Sequence, residues 1–231
     1  MLRSMTRGIK GFVMVVATAI MMLGMGTKAM AQCDCNDSGH YHGFKIESQK
    51  KKVYTEFGIG IGGVYSGIES ISSTDILVKP RYGFQGHFDI AVCIGRNFAI
   101  ETEVAYEGGS MDATWKNLER RVKTRSVDIP LMLSLRFFDN RIRLSAGTLF
   151  AVMSNAEYTV DSNTYLFGAV MPTYNLAAGV GLRIGKHTLI EARYVYPLKE
   201  TVNQFGAKEG ETGLEFNMRG YKISAGITLL F

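Results

Sequence analysis

The sequence predicts an all-β protein: an eight-stranded antiparallel up-and-down transmembrane β-barrel, preceded by a cleaved signal peptide. Three observations lead there. In the last stretch, Tyr221, Ile223, Ala225, Ile227, Leu229 and Phe231 are apolar, and Lys222, Ser224, Gly226 and Thr228 between them are small or polar. That is the period of two of a strand with one greasy and one wet face. Lipid forbids an open sheet edge, because its backbone groups would go unsatisfied, so such a last strand must pair with the first. Second, the alternating segments before it are joined by short and long connections in strict turn, as in barrels with short periplasmic turns and long outer loops. Third, the one continuous apolar run stands at the amino terminus, and no interior run is long enough for a membrane helix.

The chain starts with a basic region, Arg3, Arg7 and Lys10, followed by an apolar run from Gly11 to Gly26 and by Ala29-Met30-Ala31. This is the pattern of a secretory signal peptide over 1–31, with cleavage between Ala31 and Gln32. A retained anchor fits less well, because the run is short. A lipidated cysteine would need a small residue before it, and Gln32 precedes Cys33. The whole chain carries a formal charge of +5. Of its 26 basic residues, Arg3, Arg7, Lys10 and Lys28 lie in the signal, which leaves 22 against 21 acidic ones. The positive charge thus belongs to the export signal, and no nucleic acid is expected as a partner.

Residues 32–52 read as a flexible periplasmic leader, with few apolar side chains to bury. It contains Cys33-x-Cys35 and His40-x-His42. These residue types suit a transition metal, but nothing in the segment provides a scaffold to fix them, and a disordered tail whose cysteines oxidise is the better reading. With Cys93 the thiols number three, so one pair and one free thiol are expected. Cys93 falls beside a short turn, on the leader's side of the membrane, where Cys33 or Cys35 can reach it.

The barrel domain, 53–231, opens at Val53. Thr55, Phe57, Ile59 and Ile61 share one face, and Tyr54, Glu56, Gly58, Gly60 and Gly62 the other. The glycines are no dinucleotide loop, since the strand pattern runs through them and no helix follows. Further strands are predicted over about 81–92, 98–107, 126–137, 142–152, 173–184, 188–196 and 217–231. Tight turns fall at Gly95-Arg96-Asn97, Phe138 to Arg141 and Gly185-Lys186-His187. Long loops are predicted over 66–80, 108–124, 153–172 and 197–216, the last glycine-bearing and mobile. Phe98, Phe137, Phe138 and Phe231 gather toward the turn side, and Tyr82, Tyr106, Tyr174, Tyr194, Tyr196 and Tyr221 toward the loop side, as interfacial girdles do. A soluble barrel would carry its apolar residues inside instead.

The segments Val127-Asp128-Ile129-Pro130-Leu131, Leu144-Ser145-Ala146-Gly147 and Leu176 to Tyr196, with Phe231 at the end, resemble the PorT-like outer-membrane β-barrels of Bacteroidetes over the whole presumed barrel. The likeness is one of strand and turn style, and no functional residue carries over from it. It implies a barrel in the bacterial outer membrane with its amino terminus in the periplasm. PorT itself is linked to secretion across that membrane, and most relatives have no assigned activity. The leader with its cysteines and histidines departs from the family's plain start.

The inward faces collect Glu56, His87, Asp89, Glu101, Glu103, Asp128, Arg136, Arg143, Arg183, Glu191, Arg193 and Lys222, together with Arg81 and Glu107. Side chains fill the interior of an eight-stranded barrel, so these balanced charges are expected to plug the lumen as an ion network. A narrow porin-like channel for small solutes or ions is the alternative. A catalytic reading would orient His87 on Asp89 with Ser134 or Ser145 as nucleophile; no spacing requires that geometry, and His87 reads better as one more member of the network. No enzyme and no cofactor are therefore expected. Trp115, Lys116, Arg120, Arg121 and Lys123, with Arg125, form a basic segment read as an exposed loop. It suits lipopolysaccharide phosphates or an acidic partner surface, and a solvated loop accounts for it as well. Phe231 reads as the carboxyl-terminal signal for the barrel-assembly machinery. The expected role is structural or interactive, in secretion or envelope organisation, with membrane lipid and envelope proteins as partners.

Overall fold

The structure, a computed structural model, describes residues 53–231 apart from 74, 81, 117, 161–162 and 207–212. The signal segment, the Ala31–Gln32 cleavage pair, the leader with Cys33 and Cys35, and Arg81 lie outside the described residues.

All regular elements among the described residues are strands: β1 Val53–Ile71, β2 Ile76–Pro80, β3 Tyr82–Ile94, β4 Phe98–Trp115, β5 Leu118–Phe137, β6 Ile142–Val160, β7 Asn163–Gly168, β8 Tyr174–Ile184, β9 Thr188–Pro197, β10 Thr201–Phe205 and β11 Leu214–Leu230. At the end with the tight turns, eight of them close a ring in the order β1-β3-β4-β5-β6-β8-β9-β11, each antiparallel to its neighbour. The ring shuts where β11 returns to β1, from Gly58↔Leu230 to Ile71↔Met218. The three tight turns occur where the sequence places them. Gly95 and Gly185 take the left-handed conformation, which glycine adopts freely because it has no Cβ to clash. Phe138, Asp139 and Asn140 take it in succession. Asx side chains tolerate that region, and a bulky Phe rarely adopts it.

The four long loops are corrected. Residues 108–124 are no loop: β4 and β5 run on as one paired hairpin to Trp115↔Leu118. Likewise β1 and β6 extend into the segments 66–80 and 153–172. Three short strands stand above the ring: β2 pairs with β4, β7 with β6, and β10 with both β7 and β11. They continue the wall above β3, β8 and β9. At 20 residues β5 is about twice as long as the roughly 9–11 residues that cross a bilayer, so the upper half forms a rim beyond the hydrocarbon.

Belt and rim have opposite polarity. In the belt the outward residues of β5 are Val127, Ile129, Leu131, Leu133, Leu135 and Phe137, while Asp128, Ser134 and Arg136 are buried inside. In the rim part of the same strand Glu119, Arg121, Lys123 and Arg125 face out and Val122 is buried. β11 repeats the inversion: Ile223, Ile227 and Leu229 are exposed in the belt, whereas Phe216 and Met218 are buried in the rim with Glu215 and Asn217 outside. The rim core packs Met111, Val122, Tyr158, Phe167, Met171, Phe205, Phe216 and Met218. It reaches down one side of the lumen through Met132, Leu149, Ala177 and Val195. Phe205 is at its centre, with ring contacts to Trp115, Tyr158 and Phe167. Trp115, expected in an exposed loop, is half-buried against this core, while Lys116, Arg121 and Lys123 face solvent and Arg120 is half-buried.

Candidate functional site

The lumen of the belt holds three tiers of buried charge. Alternation positions them: Glu56 on β1, His87 and Asp89 on β3, Glu101, Glu103 and Glu107 on β4, and their partners on β5, β6, β8, β9 and β11 all fall on inward positions.

The tier nearest the turns centres on Glu56, whose carboxylate accepts hydrogen bonds from Arg136, Arg143 and Arg183, each at 2.8 Å. Arg136, only 1% exposed, also donates to Glu101 at 3.0 Å and to the Cys93 thiol at 3.0 Å. Asn140, from the strained turn, donates to Glu56 and accepts from Arg143, which gives the left-handed turn residues a reason to hold their conformation. Cys93 is buried and forms no disulfide among the described residues, which include neither Cys33 nor Cys35.

In the middle tier Arg193 binds Glu103 through two parallel hydrogen bonds, 2.9 and 2.6 Å. His87 is buried beside them. Its Nε2 is 2.8 Å from the Thr228 hydroxyl, 3.5 Å from Asp89 and 3.7 Å from Glu191. The upper tier is Lys222, which donates to both Glu107 and Asp128, while Ser126 donates to Glu107 at 3.1 Å. Above it the rim core begins.

Among the described residues these tiers occupy the lumen and leave little space between them. Two cavities between the side chains measure about 30 Å³ each, and a third about 10 Å³. The larger ones hold only a water molecule or two. Each carboxylate and guanidinium lost from such a network strands a buried partner. Neither Ser134 nor Ser145 hydrogen-bonds His87 among the described residues: its close polar neighbours are the Thr228 hydroxyl and the Asp89 and Glu191 carboxylates, and the buried Ser134 hydroxyl has no hydrogen-bond partner there. Sequence reading missed the parts played by Thr228, Asn140 and Ser126. Their inward strand positions or turn location were visible, and their pairings depend on register across the closed ring.

A greasy belt around a charged, filled lumen, closed last strand to first, defines a bacterial outer-membrane β-barrel. The chain belongs to the outer membrane protein beta-barrel domain family, which matches residues 47–203. No curated protein matches it in sequence. Among solved structures it is similar to the outer membrane protein OprG from Pseudomonas aeruginosa, at 12% identity and a TM-score of 0.50, over 78% of this chain and 98% of that one. It is also similar to Neisserial surface protein A, at 14% identity and a TM-score of 0.47, over 75% and 96%. A third is Ail of Yersinia pestis, in complex with the heparin analogue sucrose octasulfate, at 13% and 0.46, over 77% and 99%. At these identities the likeness speaks for the fold alone.

Proposed function

We propose that the protein is a closed, non-enzymatic barrel of the PorT-like kind, with a structural or interaction role in secretion or envelope organisation. The filled lumen carries this reading: three tiers of buried charge under an apolar core leave cavities of about 30 Å³ among the described residues and favour a plug over a pore. The terminal strand pairs with the first, as a product of the barrel-assembly machinery must. Planar-bilayer conductance of the full mature chain tests it, once heat-modifiable migration shows that the barrel has formed. Silence is expected. Discrete steps that change with Glu103→Gln or Arg143→Gln would turn the reading into that of a narrow channel.

The outer surface then meets the partners, and lipopolysaccharide suits one place on it. The β3–β4 ladder ends at Phe84↔Gly108, and the β2–β4 ladder resumes at Met111↔Pro80. Between them lies an open groove of about 500 Å³, lined by Tyr82, Phe84, Tyr106, Ser110, Lys123 and Arg125. It sits where the outward face of β5 turns from apolar to charged. Aromatic rings suit the interface between acyl chains and headgroups, and two cations suit a phosphate. The Lys123→Gln, Arg125→Gln double variant is expected to retain less lipopolysaccharide by native mass spectrometry; equal retention would remove the groove from the reading.

A further inference from the structure

The middle tier is built differently from the other two. Around Glu56 three arginines face the two carboxylates Glu56 and Glu101. Around His87 the ratio reverses: of the three carboxylates Asp89, Glu103 and Glu191, Glu103 and Glu191 have Arg193 as their one guanidinium within 4 Å among the described residues, and Asp89 has none that close. That guanidinium is committed to Glu103 and comes no nearer than 3.9 Å to Glu191. Asp89 and Glu191 therefore converge on the His87 imidazole, with no guanidinium closer than 3.9 Å to either of them among the described residues. Buried carboxylates and an imidazole gathered without a close cation are a donor set that a metal ion can complete.

The donor atoms are already spaced for one. His87 Nε2 lies 3.5 Å from Asp89 Oδ2 and 3.7 Å from Glu191 Oε1, and all three atoms lie within 4.8 Å of one another. Two ligands about 2.1 Å from a tetrahedral ion stand about 3.4 Å apart. The Thr228 hydroxyl, 2.8 Å from Nε2, supplies a fourth donor at the same place. A cavity of about 30 Å³, lined by Asp89, Glu103, Glu191 and Arg193, adjoins the group.

The backbone makes room for this convergence. Register places His87 opposite Gly60 on β1, and Gly60 opposite Thr228 on β11, in one row across the closing seam. A Cβ on Gly60 would lie 2.1 Å from His87 Nε2 and 2.7 Å from the Thr228 hydroxyl. A Cβ on Gly58 would meet Asp89 Oδ2 at 3.2 Å. The imidazole can cross β1 only because Gly60 carries no side chain.

We propose that His87, Asp89 and Glu191, with the Thr228 hydroxyl, form a binding site for one divalent transition-metal cation inside the lumen. One nitrogen and several oxygen donors suit Zn²⁺, Mn²⁺, Fe²⁺ or Co²⁺ better than a thiophilic ion. The cation ties β3, β9 and β11 together across β1 and braces the seam where the barrel closes. The site is independent of the rim groove and of whether the lumen conducts.

The test is Co²⁺ titration of the full mature chain, refolded metal-free in detergent with heat-modifiable migration checked for every variant. Expected is one equivalent with d–d absorption and no thiolate charge-transfer band, because Cys33 and Cys35 are not ligands. The near-isosteric Glu191→Gln should bind at least about tenfold more weakly, and His87→Asn should lose the absorption. Gly60→Ala, which alters no ligand, should weaken binding by displacing the ring. The Cys33→Ser, Cys35→Ser double variant should bind as the parent does. If the folded parent takes up no Co²⁺, or if Glu191→Gln and His87→Asn bind it unchanged, the proposal is overturned and the middle tier is balanced by protons.

Discussion

The belt and the rim are one continuous sheet with its polarity turned inside out. In the belt Leu131 and Leu133 face out while Asp128 and Arg136 are buried; a few residues up the same strand Arg121 and Lys123 face out while Val122 is buried. Backbone pairing is antiparallel in both, one β5–β6 ladder from Phe137↔Ile142 to Val122↔Tyr158 with a single register shift at Val127/Asp128, where the two regions meet. What differs is the medium outside. Against water, burial of Phe205, Phe167 and Phe216 drives the rim together as in any soluble core. Against hydrocarbon that driving force is absent, so the belt is held by its closed ladder and by the ion tiers it encloses. A barrel spanning two media thus carries two kinds of core, stacked.

The comparison breaks or holds on two truncations. Glu56→Ala leaves Arg136, Arg143 and Arg183 facing one another, and should cost on the order of 3–5 kcal/mol. The loss is expected across the whole barrel, read as a lower urea midpoint for the heat-modifiable form. Phe205→Ala removes a fully buried ring from the rim core and should cost a similar amount, roughly 3–5 kcal/mol. Its effect should stay local: proteases should cut within the rim while the belt fragment keeps its heat-modifiable migration. Equal collapse in both variants would show that belt and rim unfold as a single unit.

The belt was legible in the sequence and the rim was not, for one reason. Strands such as 126–137 announce themselves because outward apolar positions recur beside inward polar ones. The same alternation continues through Met111, Ala113 and Val122 with its sides exchanged. A reading that equates greasy with outward takes that exchange for the end of the strand, hence the loops at 108–124 and 153–172. Strand formation follows the period, and the sidedness reports only the medium. The inward positions of Glu56, His87 and Glu103 were likewise readable from parity. That Glu56 gathers three arginines, or that His87 crosses Gly60 to Thr228, depends on neighbours up to 141 residues away and on which strands the closed ring sets side by side.

Charge on the outer face should then separate the two regions with smaller effects. Leu131 is half exposed toward lipid in the belt. Leu131→Arg places a guanidinium near mid-bilayer and should cost about 2–4 kcal/mol in a lipid-bilayer refolding assay. Arg121 occupies the equivalent outward parity in the rim, with only a 3.8 Å contact to Asp112 and most of its side chain in solvent. Arg121→Leu should change stability by no more than about 0.5 kcal/mol. The two substitutions exchange the same residue types ten positions apart on one face of one strand, so strand propensity and ladder geometry largely cancel between them. A large cost for Arg121→Leu would mean that its charge is structural, and a negligible cost for Leu131→Arg would put position 131 in water. The boundary between Arg125 and Val127, where the outward face changes character, would then have to move toward the turns.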